Sequence, residues 1–229
     1  MATAAAAHTT TALYLAHLNP VTNAHVEIIS DLRDNSDSVK VMPVVFRNNG
    51  AEVNSRSFPF SFEARKDMLE SVFGDSITIT SDYTFHTPFK RYMPPLLSPM
   101  SWKLRKQILR GVDGKYFSYT GDRAEGYMLR LYRLKPRVGK RKPVSAASVK
   151  ERMYEAAMRD AKDAVAGGAP ADSSTADAPS PLLHSSLWVS DVPDSVARII
   201  ASQWDVVKRF AGAEDMTARI AGMKFPKQA

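Results

Sequence analysis

Four short segments of this chain gather residue types that could hold and polarise phosphate. Ala16-His17-Leu18-Asn19-Pro20-Val21-Thr22-Asn23-Ala24-His25 carries two imidazoles and a hydroxyl, and Val144-Ser145-Ala146-Ala147-Ser148-Val149-Lys150-Glu151 carries two hydroxyls and an ammonium. Phe60-Ser61-Phe62-Glu63-Ala64-Arg65 and Gly121-Asp122-Arg123 add two guanidiniums and a turn. Each segment falls at the carboxyl end of an expected strand or at an expected helix start. In an open α/β sheet that edge is where ligands bind, and helix N-termini there offer backbone N–H groups to negative charge.

The elements that must position these residues can be read from periodicity. Residues Ala12 to Ala16 form a short apolar run that stops at Asn19-Pro20, as a buried strand does on entering a loop. Ala24, Ile28, Ile29 and Leu32 give the face of a following helix, which Asp34 to Ser38 breaks. Val39 to Phe46 reads as one second buried strand, so strand, helix and strand imply a right-handed parallel crossover. Ser61 caps a helix running to Glu70, and Ser76 to Thr80 is a third strand. Asp82 to Met100, rich in proline and aromatics, reads as a lid or substrate loop, and Lys103 to Arg110 as a short basic helix. Lys115 to Thr120 is a fourth strand, Tyr127 to Leu134 a helix, Lys135 to Pro143 a basic loop, and Val144 to Asp163 a long helix. After a stretch of small and polar residues, Val192-Pro193-Asp194 starts a helix whose face is Val196, Ile199, Ile200, Trp204, Val207 and Phe210.

The expected fold is therefore α/β: a Rossmann-like parallel sheet flanked by helices, with a C-terminal helical segment. Its divisions are a flexible tail over 1–11, the main domain over 12–165, a disordered linker or loop over 166–181, and a helical segment over 182–229 that packs back.

Composition narrows the chemistry. The 229 residues are 44% hydrophobic and 24% charged, an ordinary globular balance with ample length for a continuous core. With no cysteine, thiolate nucleophiles, disulfides, thiolate zinc sites and iron–sulfur clusters are excluded. No apolar run approaches the ~20 residues of a bilayer span, and the first residues fit neither a secretory nor a transit peptide. A cytoplasmic location is the expectation. The formal charge of +7 suits an anionic ligand without choosing among nucleotide, nucleic acid and acidic partner.

Taken together, the motifs carry a family resemblance. Asn19-Pro20-Val21-Thr22-Asn23-Ala24-His25 resembles the T/H-x-G-H signature of the nucleotidylyltransferase superfamily, with the proline in its usual place. Val144 to Glu151 resembles that superfamily's second signature, usually I-S-S-T-x-x-R. It is similar in particular to the I-S-S-S-x-x-K form of the phosphopantetheine adenylyltransferase branch, which suits Lys150. Phe60 to Arg65 resembles a helix start shared by several adenylyltransferases, and Trp188 with Val192-Pro193 resembles their C-terminal helix entry. The middle region and overall length are closer to nicotinamide mononucleotide adenylyltransferase. The motifs occur in the family's order over roughly residues 12 to 165 and 185 to 210.

The resemblance implies transfer of a nucleotidyl group, AMP from ATP in the first instance, to a phosphorylated small molecule such as nicotinamide mononucleotide or phosphopantetheine, with release of pyrophosphate. Cytidylyl transfer is a further combination. In such chemistry charge builds on phosphoryl oxygens, so catalysis is mostly positioning and electrostatic stabilisation. His25, Thr22 and Lys150 are the candidate catalytic residues, with His25 donating a hydrogen bond to the α-phosphate. His17, Asn19, Gly121, Asp122, Arg123, Ser145 and Ser148 are candidates for binding nucleotide and phosphates. Arg56, Arg65 and Trp102 are weaker candidates for the acceptor, and Arg56 also for phosphate. His86, Phe89 and Tyr92, close in sequence to Trp102, could stack on an aromatic acceptor or simply pack a loop. Magnesium is expected with ATP because this ion is often held mostly by substrate oxygens and water; no protein ligand set for a metal is visible.

This chain also departs from the pattern. Ala16 and Ala24 replace glycines and Ala147 replaces a hydroxyl residue, and a methyl where backbone approaches phosphate can reduce affinity. The alternative is thus a catalytically degenerate copy of the fold acting as a nucleotide-binding or protein-interaction module, with the basic loop 135–142 as one contact surface. Nucleic acid is not an expected partner, since charge is its only signal; a homo-oligomer is compatible with everything above.

Overall fold

The structure, a computed structural model, describes residues 9–139, 145–166, 187–220 and 223–227. The expected linker beyond residue 166, most of the expected tail, Val144 and residues 140–143 of the basic loop lie outside the described residues.

A five-stranded, all-parallel sheet organises the chain. Strands β1 (Thr10–Ala16), β2 (Ser38–Pro43), β5 (Thr78–Ile79), β7 (Lys115–Thr120) and β8 (Pro136–Val138) lie in the order β5-β2-β1-β7-β8. β1 is central, and its alternation divides the core. Ala12 and Tyr14 enter one buried cluster while Leu13 and Leu15 enter the other, on the opposite face. The first cluster joins α1 (Asn23–Asp34), α2 (Phe62–Phe73), α5 (Ala146–Ala166), α6 (Asp194–Ser202) and α7 (Trp204–Ala211) to the sheet. The second joins α3 (Pro99–Ile108), α4 (Arg123–Leu131) and a group of aromatic rings.

Several boundaries differ from expectation for local reasons. The run Val39 to Phe46 is two strands in two sheets. β2 ends at Pro43, Val44 N–H still donates to the Ala16 carbonyl at 2.9 Å, and β3 (Val45–Asn48) then departs. β3 pairs antiparallel with β4 (Ala51–Glu52) and parallel with β6 (Thr84–His86) in a three-stranded sheet. The Asp82 to Met100 stretch is a packed wall rather than a lid. Phe85, Phe89 and Tyr92 are buried, with Phe85 and Phe89 5.9 and 5.4 Å from Phe46. Helix α3 begins before Lys103 because Ser98 accepts from the Ser101 N–H and Pro99 opens the first turn. Helix α4 begins before Tyr127 because the Asp122 carboxylate accepts from the Ala124 and Glu125 N–H groups. It ends before Leu134, as Arg133 and Lys135 take positive φ values of 54° and 52°. Within the basic loop, Pro136–Val138 is an edge strand, paired with Ser118–Thr120. The C-terminal periodic face spans two helices, α6 and α7, with Gln203 between them. After them comes a hairpin with no helical character: β9 (Thr217–Ile220) antiparallel to β10 (Met223–Pro226).

Beneath the carboxyl edge of the sheet a hydrogen-bonded platform joins four loops. The Asn19 side chain donates to the Phe60 carbonyl at 2.8 Å and accepts from the Phe60 N–H at 3.2 Å. Arg65, 2% exposed, donates to the His17, Val44 and Ser61 carbonyls and pairs with Glu52 at 3.0 Å. The Glu52 carboxylate also accepts from the Phe62 N–H at the start of α2. The end of β1, the start of β3, β4 and the first turn of α2 are thereby fixed to one another.

Replacing Asn19 with alanine strands a buried N–H and carbonyl of Phe60 and is expected to cost about 1–3 kcal/mol. Urea denaturation with an unchanged m-value checks this; a change below about 0.5 kcal/mol would show that the clip is not needed.

Candidate functional site

The sheet order places the site. From β1 the chain runs outward one way through β2 to β5, and the other half of the sheet, β7 and β8, lies on the opposite side. The switch point is between β1 and β7, where ligands bind in open α/β sheets. The loop His17 to Thr22 leaves β1 there, and Gly121-Asp122-Arg123 leaves β7.

At the start of α1, Thr22 is fully buried and its backbone N–H donates to His25 Nδ1 at 3.0 Å, with Thr22 Oγ1 at 3.1 Å from the same nitrogen. A backbone N–H can only donate, so Nδ1 carries no proton and the neutral ring holds its proton on Nε2. Burial, reinforced by the Lys150 charge, lowers the His25 pKa to about 4. Near neutral pH this residue is therefore an uncharged Nε2–H donor of fixed tautomer.

Lys150 lies in the second turn of α5 and is 9% exposed. Its ammonium donates to the Asn19 carbonyl at 2.7 Å and the Ala146 carbonyl at 3.2 Å. Burial and the nearby Lys224 charge lower its pKa to about 7. A cavity of about 210 Å³ opens beside it, lined by His17, Arg56, Ser57 and Phe58 on one side, Ala146, Ala147 and Glu151 of α5 on another, and Asp215 and Lys224 on the third. His17 is stacked on Phe58 at 4.6 Å, and its buried Nδ1 has no hydrogen-bond partner among the described residues. Burial and then Lys150 lower the His17 pKa to about 3, so this ring too is neutral.

A second, larger cleft of about 1060 Å³ lies between the start of α4 and the end of β8. Gly121, Asp122, Arg123, Gly126, Tyr127, Arg130 and Gly139 are among its walls. A Cβ at Gly126 would meet a Val138 methyl at 2.7 Å, so a larger residue there would have to displace Val138.

The other candidates divide by what already occupies them. Ser145 and Ser148 bond to each other and to backbone at the α5 N-terminus, Ser145 Oγ accepting from the Ser148 N–H at 3.2 Å and Ser148 Oγ donating to the Ser145 carbonyl at 2.8 Å. They cap the helix, whose first N–H groups then border the cavity. Asn19 works through backbone: its side chain clips Phe60 and its carbonyl holds Lys150. Arg65 is spent on the platform beneath. Arg56 lines the cavity but pairs with Glu151 at 2.6 Å, donates to the Phe210 and Ala211 carbonyls and stacks over Tyr154 at 4.3 Å. Trp102 is 46% exposed on α3 and lines neither space.

Three residues of this site carried no motif. Ser57, Asp215 and Lys224 form a chain, with Ser57 Oγ 2.6 Å from Asp215 and Lys224 Nζ 2.5 Å from Ser57 and 2.7 Å from Asp215. The alternation Met223-Lys224-Phe225 was the available signal, and it is short.

No protein-family model and no curated protein matches the chain. Among solved structures, a bifunctional NMN adenylyltransferase/ADP ribose pyrophosphatase from Francisella tularensis matches over 64% of this chain with a TM-score of 0.51 and 19% identity. The likeness is one of fold, an α/β, Rossmann-like parallel sheet flanked by helices. The same bifunctional protein complexed with AMP and a manganese ion matches with a TM-score of 0.49 and 18% identity over 64% of this chain and 42% of its own. NadR in complex with NAD and AMP-PNP matches with a TM-score of 0.46 and 16% identity over 64% of this chain and 43% of its own. The chain spans less than half of each, 42% in the first case. Among the described residues no helix is long and apolar enough to cross a membrane, and no three His, Cys, Asp or Glu side chains gather as a metal site.

The lowered His25 pKa has a consequence for stability. The unfolded ring binds a proton near its ordinary value of 6.5 and the folded ring only near 4, so stability falls as pH drops from 6.5 towards 4. Urea midpoints at pH 7, 5.5 and 4.5 are expected to decline, and His25→Gln to decline less steeply; parallel curves would refute the lowered value.

Proposed function

We propose that the protein transfers a nucleotidyl group, AMP from ATP in the first instance, to the phosphate of a phosphorylated small molecule. The observation that carries this reading is the Lys150 ammonium and the α5 N-terminus at one cavity, with the neutral His25 Nε2–H donor at the start of α1 within reach of the Lys150 charge, on loops that leave the switch point of the parallel sheet. In the reaction an oxygen of the acceptor phosphate forms a bond to the α-phosphorus. The bond from that phosphorus to the α,β-bridging oxygen breaks, and pyrophosphate leaves with the electron pair. His25 Nε2–H stabilises the charge gathering on the α-phosphate oxygens, and Lys150 with the first N–H groups of α5 stabilises the leaving pyrophosphate. The neutral state of His25 suits this role, because a hydrogen bond is required and no proton has to move.

The two spaces differ in size as a nucleotide and a phosphate do. The large cleft at Gly121 to Arg123 suits the nucleoside, with Arg123 and Arg130 beside its phosphates, and the small cavity suits phosphate alone. Nicotinamide mononucleotide and phosphopantetheine remain the acceptors to try first. Asp122, Glu151 and Asp215 are each engaged by the protein, as helix cap or ion-pair partner. These carboxylates do not form a ready metal site, so magnesium in this reading belongs to the nucleotide's own oxygens and waters.

A second reading, a nucleotide-binding or protein-interaction module without turnover, is favoured by Ala147 at the lip of the cavity and by the mutual engagement of Ser145 and Ser148. Pyrophosphate release separates the two. With ATP or CTP, magnesium and both acceptors, one combination is expected to turn over, and His25→Ala to lower kcat about 100-fold or more. Silence across the panel, with nucleotide binding retained, would favour the module.

A further inference from the structure

The small cavity has more positive charge than its own partners neutralise, and part of that charge comes from far along the chain. Arg56 pairs with Glu151 at 2.6 Å and Lys224 with Asp215 at 2.7 Å. Lys150 remains, buried and bonded to carbonyls, with no carboxylate in ion-pair range among the described residues. The α5 N-terminus adds its partial positive charge, and the buried His17 Nδ1 is without a hydrogen-bond partner among the described residues. A partly open space of about 210 Å³, against ~30 Å³ for a water's share of liquid volume, accommodates an anion with a few waters.

Lys224 is delivered there by strand alternation. In β10, Phe225 turns into the core, 5.3 Å from Phe46, 5.2 Å from Phe85 and 5.5 Å from Phe89. Its neighbour Lys224 faces the other way and lines the cavity. The buried ring fixes the strand, so the ammonium is held at the cavity wall. Its carboxylate partner is easily exchanged, since the Lys224 and Asp215 side chains are 36% and 42% exposed and an ion pair so open to water contributes little.

We propose that Lys224 is a phosphate-binding residue of this site, releasing Asp215 to take an oxygen of a phosphate group held between it, Lys150 and the α5 N-terminus. The inference rests on the nucleotidyl-transfer reading for its biological ligand, and makes the C-terminal hairpin part of the site. The phosphate belongs either to the departing pyrophosphate or to the acceptor monoester.

Calorimetric titration of the full chain with inorganic pyrophosphate and with inorganic phosphate, at fixed ionic strength, tests this without turnover. The wild-type protein is expected to bind at least one anion, Lys224→Gln to bind it about tenfold more weakly, and Lys224→Arg to keep most of the affinity. Asp215→Asn is expected to bind severalfold more tightly, because it removes the competing carboxylate. A lysine that only anchored the hairpin would predict the reverse for that last variant, since losing either end of the pair loosens the same contact. Preference for pyrophosphate assigns the leaving group, and equal or better binding of phosphate assigns the acceptor; both support the proposal. No anion binding by the wild-type protein, unchanged affinity in Lys224→Gln, or weaker binding in both Lys224→Gln and Asp215→Asn would overturn it. Opposite effects of the two variants with no turnover on any acceptor would leave this inference standing and remove the transferase reading. Turnover untouched by Lys224→Gln would do the converse.

Discussion

An ammonium buried against the carbonyls of Asn19 and Ala146, with no carboxylate in ion-pair range among the described residues, is the interaction on which this site turns. It ties the first turns of α5 to the loop leaving β1, although more than a hundred residues separate the two in sequence. That loop is itself held by the Asn19 clip to Phe60, and Phe60 precedes Ser61, which caps α2. From α2, Arg65 reaches back to the His17 and Val44 carbonyls and closes the circuit. A buried charge is costly unless it is satisfied, and here the cost appears as a lysine pKa lowered to about 7. An anion beside it would favour the charged form and relieve that cost. The site is built to be more comfortable occupied by negative charge than by water.

The rest of the architecture explains why such charge gathers at one edge. A parallel sheet packed on both faces leaves only its strand ends accessible, and each crossover returns the next helix to start near the carboxyl ends. The first turns of α1, α4 and α5 follow loops at this edge, so their partial positive charges add to Lys150, Arg56 and Lys224. The two histidines then have to be neutral. His25 achieves this with a defined tautomer, because the Thr22 N–H occupies Nδ1.

Much of this was legible because it is local. Strand β1, the Ser61 cap, the strand Lys115–Thr120 and the helix start at Asp194 each rest on a few adjacent residues, and they lie where periodicity and capping residues put them. Periodicity misled where one apolar run served two partners. Val39 to Phe46 is uniformly buried, yet the sheet that buries it changes at Val44, and a run of hydrophobicity has no mark for that exchange. Motif matching placed Thr22, His25 and Lys150 around one region but could not separate residues that act from residues that hold. Arg65 and Asn19 are polar residues in matching motifs as Lys150 is, and only the partners around each distinguish them. Only the short alternation Met223-Lys224-Phe225 announced Lys224, whose place depends on Phe225 finding an aromatic cluster assembled from β3, β6 and the wall that follows it.

That last dependence gives the C-terminal hairpin its logic. A cation at the mouth of a cavity can bind anions tightly only if its position is fixed before the ligand comes, because ordering a long side chain otherwise consumes much of the binding energy. An isolated two-stranded hairpin is marginal by itself in water, and this one is anchored through Phe225 on one face and the Ser57–Asp215–Lys224 chain on the other. The aromatic anchor does not change when the cavity fills, whereas the polar chain can exchange one carboxylate for a phosphate oxygen. Rigidity and responsiveness therefore reside in neighbouring residues of one strand, separated by the two-residue period of its side chains.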